Sequence, residues 1–251
     1  LGLLLLWKII LKGFRLFHSA YLTKELPLIQ RYGKASWALV TGCTDGIGLQ
    51  FCHSLAKRGF NLVMISRNEE KIREKMREIV KLYPNTQFLC IPADFSQGTN
   101  PEFYEAIFSK VKHLDISIIV NNVGILFKTL LKDTPAQEVL NTCIVNLLPQ
   151  ALFHNLFLAG LQSRSSRSAY IDISSSLTIG PMNIPLYSST KIFNQYLTLG
   201  LDGSRLYQNI DFLCVRPNSV STNINGHPSI NAAVATTEDC VESSLRCLGN
   251  C

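Results

Sequence analysis

Ser36-Trp37-Ala38-Leu39-Val40-Thr41-Gly42-Cys43-Thr44-Asp45-Gly46-Ile47-Gly48 is the stretch that decides the fold. Its apolar run reads as a short buried strand that Gly42 closes, and the residues after it, 47–57, read as a helix whose apolar positions face a sheet. Gly42 allows the tight turn, Gly46 lets backbone approach a pyrophosphate, and Gly48 lets the helix pack close to the strand. Across Thr44, Asp45, Gly46, Ile47 and Gly48, the free amides of a helix start face phosphate. An ordinary βα turn is the bland alternative. The order of strand, glycine-rich turn and helix is the dinucleotide-binding arrangement.

Working outward, strands and helices alternate. Strands are expected at 61–65, 87–91, 116–120, 168–174 and 210–215. Helices are expected at 69–82, 101–112, 136–161 and 187–206. The strands are continuous apolar runs, as strands buried on both faces are. The expected fold is therefore α/β, a Rossmann-type doubly wound parallel sheet sandwiched between helices. The chain reads as cut short after the sixth strand, at the start of another helix near Asp239. Residues 36–251 are read as this domain, incomplete at its C-terminus. The Ser- and Arg-rich segment 160–168 is expected to be a solvated loop.

The residues after the second strand set the choice of cofactor. An acidic residue there would accept hydrogen bonds from ribose hydroxyls. Ile65-Ser66-Arg67-Asn68 stands there instead. Arg67 can pair with a 2′-phosphate and Ser66 can donate to it, which favours NADP(H) over NAD(H). Asp94, after the third strand, can meet an adenine amino group or cap a helix. Asn121-Asn122-Val123-Gly124 ends the fourth strand. Asn121 is expected to bridge strands beside the adenine ribose, and Gly124 to leave room for the cofactor.

Tyr187 and Lys191 lie four residues apart on an expected helix, and so share a face. An ammonium nearby lowers a phenol's pKa, which suits Tyr187 to proton exchange with a carbonyl or alcohol oxygen. Lys191 can also donate to ribose hydroxyls. Ser174, thirteen residues before Tyr187, supplies a hydroxyl for the substrate oxygen, with Ser175 as the competing register. Asn146 lies inside the long helix; it either holds a water that completes a proton relay through Lys191 or is a satisfied structural amide.

Composition narrows the field further. The chain has 251 residues, 47% of them apolar and 17% charged, enough for one large buried core and too apolar for global disorder. The formal charge of +6 is spread without a basic tract, and no aromatic–basic interleaving or Cys/His finger spacing points to nucleic acid. Eight cysteines, several in apolar segments and none in a CxxC pair, read as reduced buried thiols, with no metal site.

Residues 1–35 read as a separate element, an anchor followed by a linker. Leu1 to Trp7 is strongly apolar, and Lys8, Lys12 and Arg15 then share one helix face opposite Ile9, Ile10, Phe14 and Phe17. The apolar run is shorter than the roughly 20 residues that span a bilayer. It is either the tail of a longer span or an interfacial amphipathic helix. An extra helix on a soluble core is the competing reading. Pro27 and Gln30-Arg31-Tyr32-Gly33-Lys34 read as the linker.

Taken together, the TGxxxGIG turn, the NNxG stretch, Asn146, Ser174 and the Tyr187-xxx-Lys191 pair resemble the short-chain dehydrogenase/reductase family over residues 36–225. The resemblance implies that Tyr187 is the acid/base, Lys191 its support, Ser174 the substrate-orienting hydroxyl and Asn146 the holder of a relay water. It implies direct hydride transfer without a metal. Cys43 to Gly48 and Leu62 to Arg67 look like the branch that contains 17-beta-hydroxysteroid dehydrogenases types 3 and 12 and the very-long-chain 3-oxoacyl-CoA reductases. That branch implies NADP(H), an N-terminal anchor and the endoplasmic reticulum membrane. It also implies an apolar substrate, a long-chain 3-oxoacyl-CoA first and a steroid second, and it leaves a homodimer open. The apolar segment 177–182 can line such a pocket. Pro217-Asn218 departs from the Pro-Gly of many members, and Val220 and Thr222 are then expected near the carboxamide and diphosphate. A non-catalytic scaffold is the rival class, against which the intact tetrad argues.

Overall fold

The structure is a computed structural model that describes residues 25–178, 184–226, 228–231 and 234–250. The expected anchor within residues 1–24 lies outside the described residues, as does part of the apolar segment 177–182. Six parallel strands form the sheet: β1 (Trp37–Thr41), β2 (Asn61–Ser66), β3 (Phe88–Pro92), β4 (Ile116–Asn121), β5 (Ser168–Ile173) and β6 (Ile210–Val215). Their order is β3-β2-β1-β4-β5-β6. The direction of winding reverses between β1 and β4, which opens a crevice at the C-terminal strand ends.

Alternation along each strand builds two cores. Ala38 and Val40 of β1 face one layer, with Phe51 and Leu55 of α2 (Gly46–Lys57), Ile72 of α3 (Glu69–Leu82) and Leu245 of α7 (Thr237–Cys247). Leu39 faces the other layer, with Tyr104 of α4 (Pro101–Val111) and Phe153 and Phe157 of α5 (Ala136–Gln162). Phe153 and Tyr104 meet edge-on at 5.8 Å. Each such ring, removed to alanine, costs about 3–5 kcal/mol. The last helix before β6, α6, spans Pro185–Gly203. It starts two residues before the expected boundary because Pro185 suits the first helical turn.

Two surface expectations are corrected. The linker sequence folds in part as α1 (Leu28–Tyr32), with Leu28 and Tyr32 buried against the domain. Arg31 Nε reaches Asp211 Oδ2 at 2.7 Å, and the Tyr32 hydroxyl donates to the same oxygen at 2.8 Å. The Ser/Arg segment after α5 is not a solvated loop around Arg164. That guanidinium pairs with both oxygens of Asp115, at 2.7 and 3.0 Å, and donates to the carbonyls of Tyr32 and Arg167. In each case a cation finds a carboxylate that is distant in sequence, which local composition cannot reveal.

Among the described residues, α5 alone is long and apolar enough to cross a bilayer, yet 56% of that window is buried inside the protein. Phe153, Phe157 and Leu161 bind it to the sheet as a core helix. Arg58, just past α2, ties two distant segments together. Its guanidinium lies 2.6 Å from Glu25 and 2.6 Å from Glu242 on α7.

Candidate active site

A cleft of about 710 Å³ opens at the C-terminal ends of β1, β4, β5 and β6. Gly42 and Gly46 have φ of 64° and 53°, the left-handed region that glycine enters without strain. A Cβ on Gly48 would lie 2.2 Å from the Gly42 carbonyl oxygen, so only glycine lets α2 meet the strand turn this closely. Asp45 caps α2 by accepting from Gly46 N at 2.7 Å. Its other carboxylate oxygen accepts from Asn223 Nδ2. Gly46 and Ile47 line the cleft, with Thr222 packed against Gly46. This cradle, with a helix N-terminus beside it, fits the pyrophosphate of a dinucleotide.

Thr44 and Ser66 are joined hydroxyl to hydroxyl at 3.2 Å, and Arg67 is exposed beside them where β2 gives way to α3. Asn68 caps α3, accepting from Lys71 N at 2.9 Å. Asp94 takes its capping alternative, accepting from Ser96 N at 3.0 Å.

The asparagine assignment changes by one residue. Asn121 is fully buried, donates to Pro149 O at 3.2 Å and has its own carbonyl held by Gln150. It stands behind the cleft and not at a ribose. Asn122 lines the cleft and donates to the carbonyls of Thr41 and Gly42 at 2.9 and 3.2 Å, lacing the tips of β4 and β1 together. Strand alternation carries the signal for this shift: successive side chains point to opposite faces, and the strand ends at Asn121.

On the other wall, Ser174 and Ser175 follow β5, and Tyr187 and Lys191 project from α6. The Ser174 hydroxyl donates to Lys191 O at 2.6 Å and so pins the helix. The Ser175 hydroxyl accepts from Leu177 N at 3.2 Å, and it is the side chain near enough to the Tyr187 phenol to lower its pKa. Ser174 thus holds the helix, while Ser175, the competing register, is the serine that acts on the phenol.

Lys191 is buried and donates from Nζ to Ile173 O at 2.8 Å. Burial lowers its pKa to about 8, against the opposing charge of Asp172. Burial raises the Tyr187 phenol to about 12, against the lowering influence of Ser175. The expected lowering by Lys191 is thus not found. The ammonium lies 5.8 Å from the ring centroid, and desolvation dominates. A phenol so raised is protonated at neutral pH, the form that donates a proton.

Asn146 spends its side chain on backbone. It accepts from Ile125 N at 2.8 Å and donates to Ile125 O at 3.0 Å and Thr190 Oγ1 at 3.1 Å. A Cβ on Gly124 would sit 3.2 Å from Lys191 Nζ and 3.3 Å from Asn146 Oδ1, so this glycine leaves the room that both need. Val220 and Thr222 line the cleft, and Asn218 accepts from Ser176 Oγ at 3.1 Å. No cluster of metal-ligating side chains occurs among the described residues.

The family model for short chain dehydrogenase matches residues 36–231. The very-long-chain 3-oxoacyl-CoA reductase of Caenorhabditis briggsae is 30% identical over 234 residues, covering 91% of this chain and 73% of its own length. The 17-beta-hydroxysteroid dehydrogenase type 3 of Danio rerio is 32% identical over 218 residues, covering 84% and 69%. A short-chain dehydrogenase from Sphingobium yanoikuyae, solved in complex with NADPH, superposes with a TM-score of 0.76 at 20% identity, covering 84% of each chain.

Proposed function

Since this chain belongs to the short-chain dehydrogenase family of oxidoreductases, we propose that it is an NADP(H)-dependent ketoreductase that interconverts a carbonyl and a secondary alcohol on an apolar substrate. The observation that carries this reading is the meeting of Tyr187, Ser175 and Lys191 on the cleft that also holds the glycine cradle. When bound, NADPH supplies the hydride. The cradle at Gly42, Gly46 and Gly48 holds its pyrophosphate, and Arg67 with Ser66 takes the 2′-phosphate. Tyr187 donates its proton to the oxygen that becomes an alkoxide, and Ser175 holds that oxygen beside the phenol. Lys191 supplies positive charge behind Tyr187 and a donor for ribose hydroxyls. Asn146 holds the backbone at Ile125 on the cleft side of the helix.

The substrate proposed first is a long-chain 3-oxoacyl-CoA. Leu126, Ile173, Leu177 and Val220 give the cleft its apolar wall. A 17-ketosteroid is the second reading, favoured by the similarity to the zebrafish type 3 enzyme. NADPH oxidation by the full chain with each compound tests both. Turnover of the thioester supports the first choice and turnover of the steroid alone the second. Activity on neither removes the ketoreductase assignment for these classes. The proposed location is the endoplasmic reticulum membrane, held by residues 1–26. Fractionation of full-length and trimmed chains checks this, and a full-length protein found soluble would sink it.

A further inference from the structure

Behind the catalytic wall lies a charged pair that the proposed chemistry does not use. Asp172 on β5 and His154 on α5 are 1% and 2% exposed. His154 Nδ1 lies 2.6 Å from the carbonyl of Gln150, which can only accept, so Nδ1 carries a proton. His154 Nε2 lies 3.1 Å from Asp172 Oδ2. Nε2 has no hydrogen-bond partner, so ring and carboxylate meet as a close approach, with the carboxylate favouring the charged form of the ring. The ring stacks on Tyr170 with centroids 3.8 Å apart, a face that favours a cation. Burial opposes the charge, but Asp172 and the Gln150 carbonyl outweigh it, and the His154 pKa is raised.

Asp172 is also fastened to the helix that carries the chemistry. Thr198 of α6 donates to Asp172 Oδ2 at 2.7 Å. Seven residues back on the same helix, Lys191 Nζ donates to Ile173 O, the carbonyl next along the strand from Asp172. Residues seven apart lie on one helix face, so a single side of α6 is held against β5 at both points. Asp172 Oδ1 has no hydrogen-bond partner, which leaves that oxygen's charge unquenched by local donors.

We infer that Asp172, held by His154 and Thr198, is a positioning residue that keeps Lys191 charged and in register behind Tyr187. The inference rests on the ketoreductase reading for its catalytic meaning, and on the two bonds that hold α6 to β5 beside the carboxylate for its geometry. Other ionisable groups face the same space. They are Tyr170 on β5, Cys214 on β6 and Tyr187 on α6, with Arg216 just beyond β6 and acting on Cys214; β4 contributes the neutral Asn121. Of these, Asp172 is the group whose negative charge opposes the loss of the Lys191 proton most strongly. A buried opposite charge at short range moves a lysine pKa by about one unit or more.

The test is a ¹³Cε/¹⁵Nζ lysine NMR titration of the full chain, with the Lys191 signal identified by its loss in Lys191→Met. Asp172→Asn keeps the shape and removes the charge. It is expected to lower the Lys191 midpoint by about one unit. The alkaline limb of the pH–rate profile for ketone reduction should move to lower pH by the same amount. Turnover at acidic pH should be nearly kept, because there the ammonium survives without help. A purely structural Asp172 would instead lower turnover equally at every pH. If Asp172→Asn alone does not fold, Asp172→Asn with His154→Gln should move the midpoint the same way by a smaller amount, because any ring charge lost with His154 offsets part of the lost carboxylate charge. An unmoved midpoint in a folded variant overturns the inference. Should the unmodified protein reduce no ketone, the lysine titration still decides this point, and the failed turnover counts against the proposed reaction alone.

Discussion

At the β1–α2 end of the cleft the geometry is carried by backbone, with Gly42 and Gly46 at positive φ and Gly48 against a carbonyl. At the β5–α6 end it is carried by buried polar side chains. Ser174, Lys191, Thr198, Asp172 and His154 bond to one another or to nearby carbonyls, and each of them is at most 3% exposed. The first kind of wall tolerates no added atom at Gly48 but is not held together by buried charge. The second tolerates little change of charge, because each buried polar group there depends on its partner.

That contrast ranks the expected effects of substitution. Tyr187→Phe keeps the ring and its packing and removes the proton donor. Turnover should fall by about 10²–10⁴-fold with NADPH affinity and melting temperature largely kept. Single-turnover NADPH oxidation beside cofactor titration measures both, and turnover at the unmodified rate would overturn the role of Tyr187.

The neighbouring serines sharpen the contrast within one wall. Ser175→Ala removes the hydroxyl on the cleft beside Tyr187 and should cost turnover about 10²-fold, the scale for one donor at a developing oxyanion. Ser174→Ala removes the bond to Lys191 O and should show mainly as a stability loss of about 0.5–1.5 kcal/mol in urea unfolding. The reverse pattern would restore Ser174 as the orienting hydroxyl.

On the backbone-built wall, Arg67→Ala should erase about 1.5–3 kcal/mol of preference for NADPH over NADH, since Arg67 is the exposed cation beside Ser66. Dissociation constants for both cofactors in both proteins measure it, and equal affinities in the unmodified protein would remove the idea. Gly48→Ala should destabilise by about 1–3 kcal/mol, because its methyl meets the Gly42 carbonyl. A shift of the urea midpoint reports it, and an unchanged midpoint would mean that α2 can move away from the turn.

The two walls also differ in how far sequence reveals them. Glycine spacing after an apolar strand is local, and the cradle, the alternation of strands and helices and the Tyr187–Lys191 pair are all legible along the chain. Ser175 against Ser174, and Asn122 against Asn121, turn on where a strand ends, and one residue of error there reverses the side-chain direction. The pairs Arg164–Asp115, Arg31–Asp211 and His154–Asp172 are not legible at all, since each joins segments far apart in sequence. Burial likewise overrides the expected effect of Lys191 on the Tyr187 phenol, and the depth of a side chain is a property of the folded whole.

Arg58 has a mechanical consequence. It clasps Glu25, just ahead of α1, and Glu242 of α7, and it stands at the C-terminal end of α2. A pull on the residues before Glu25 is therefore taken up at Arg58 and shared with α7. The twelve residues of α2 make a strut about 18 Å long between that point and the glycine cradle. Any tether at the amino-terminal side thus loads the far end of the strut, and the phosphate-facing end is shielded from the tension.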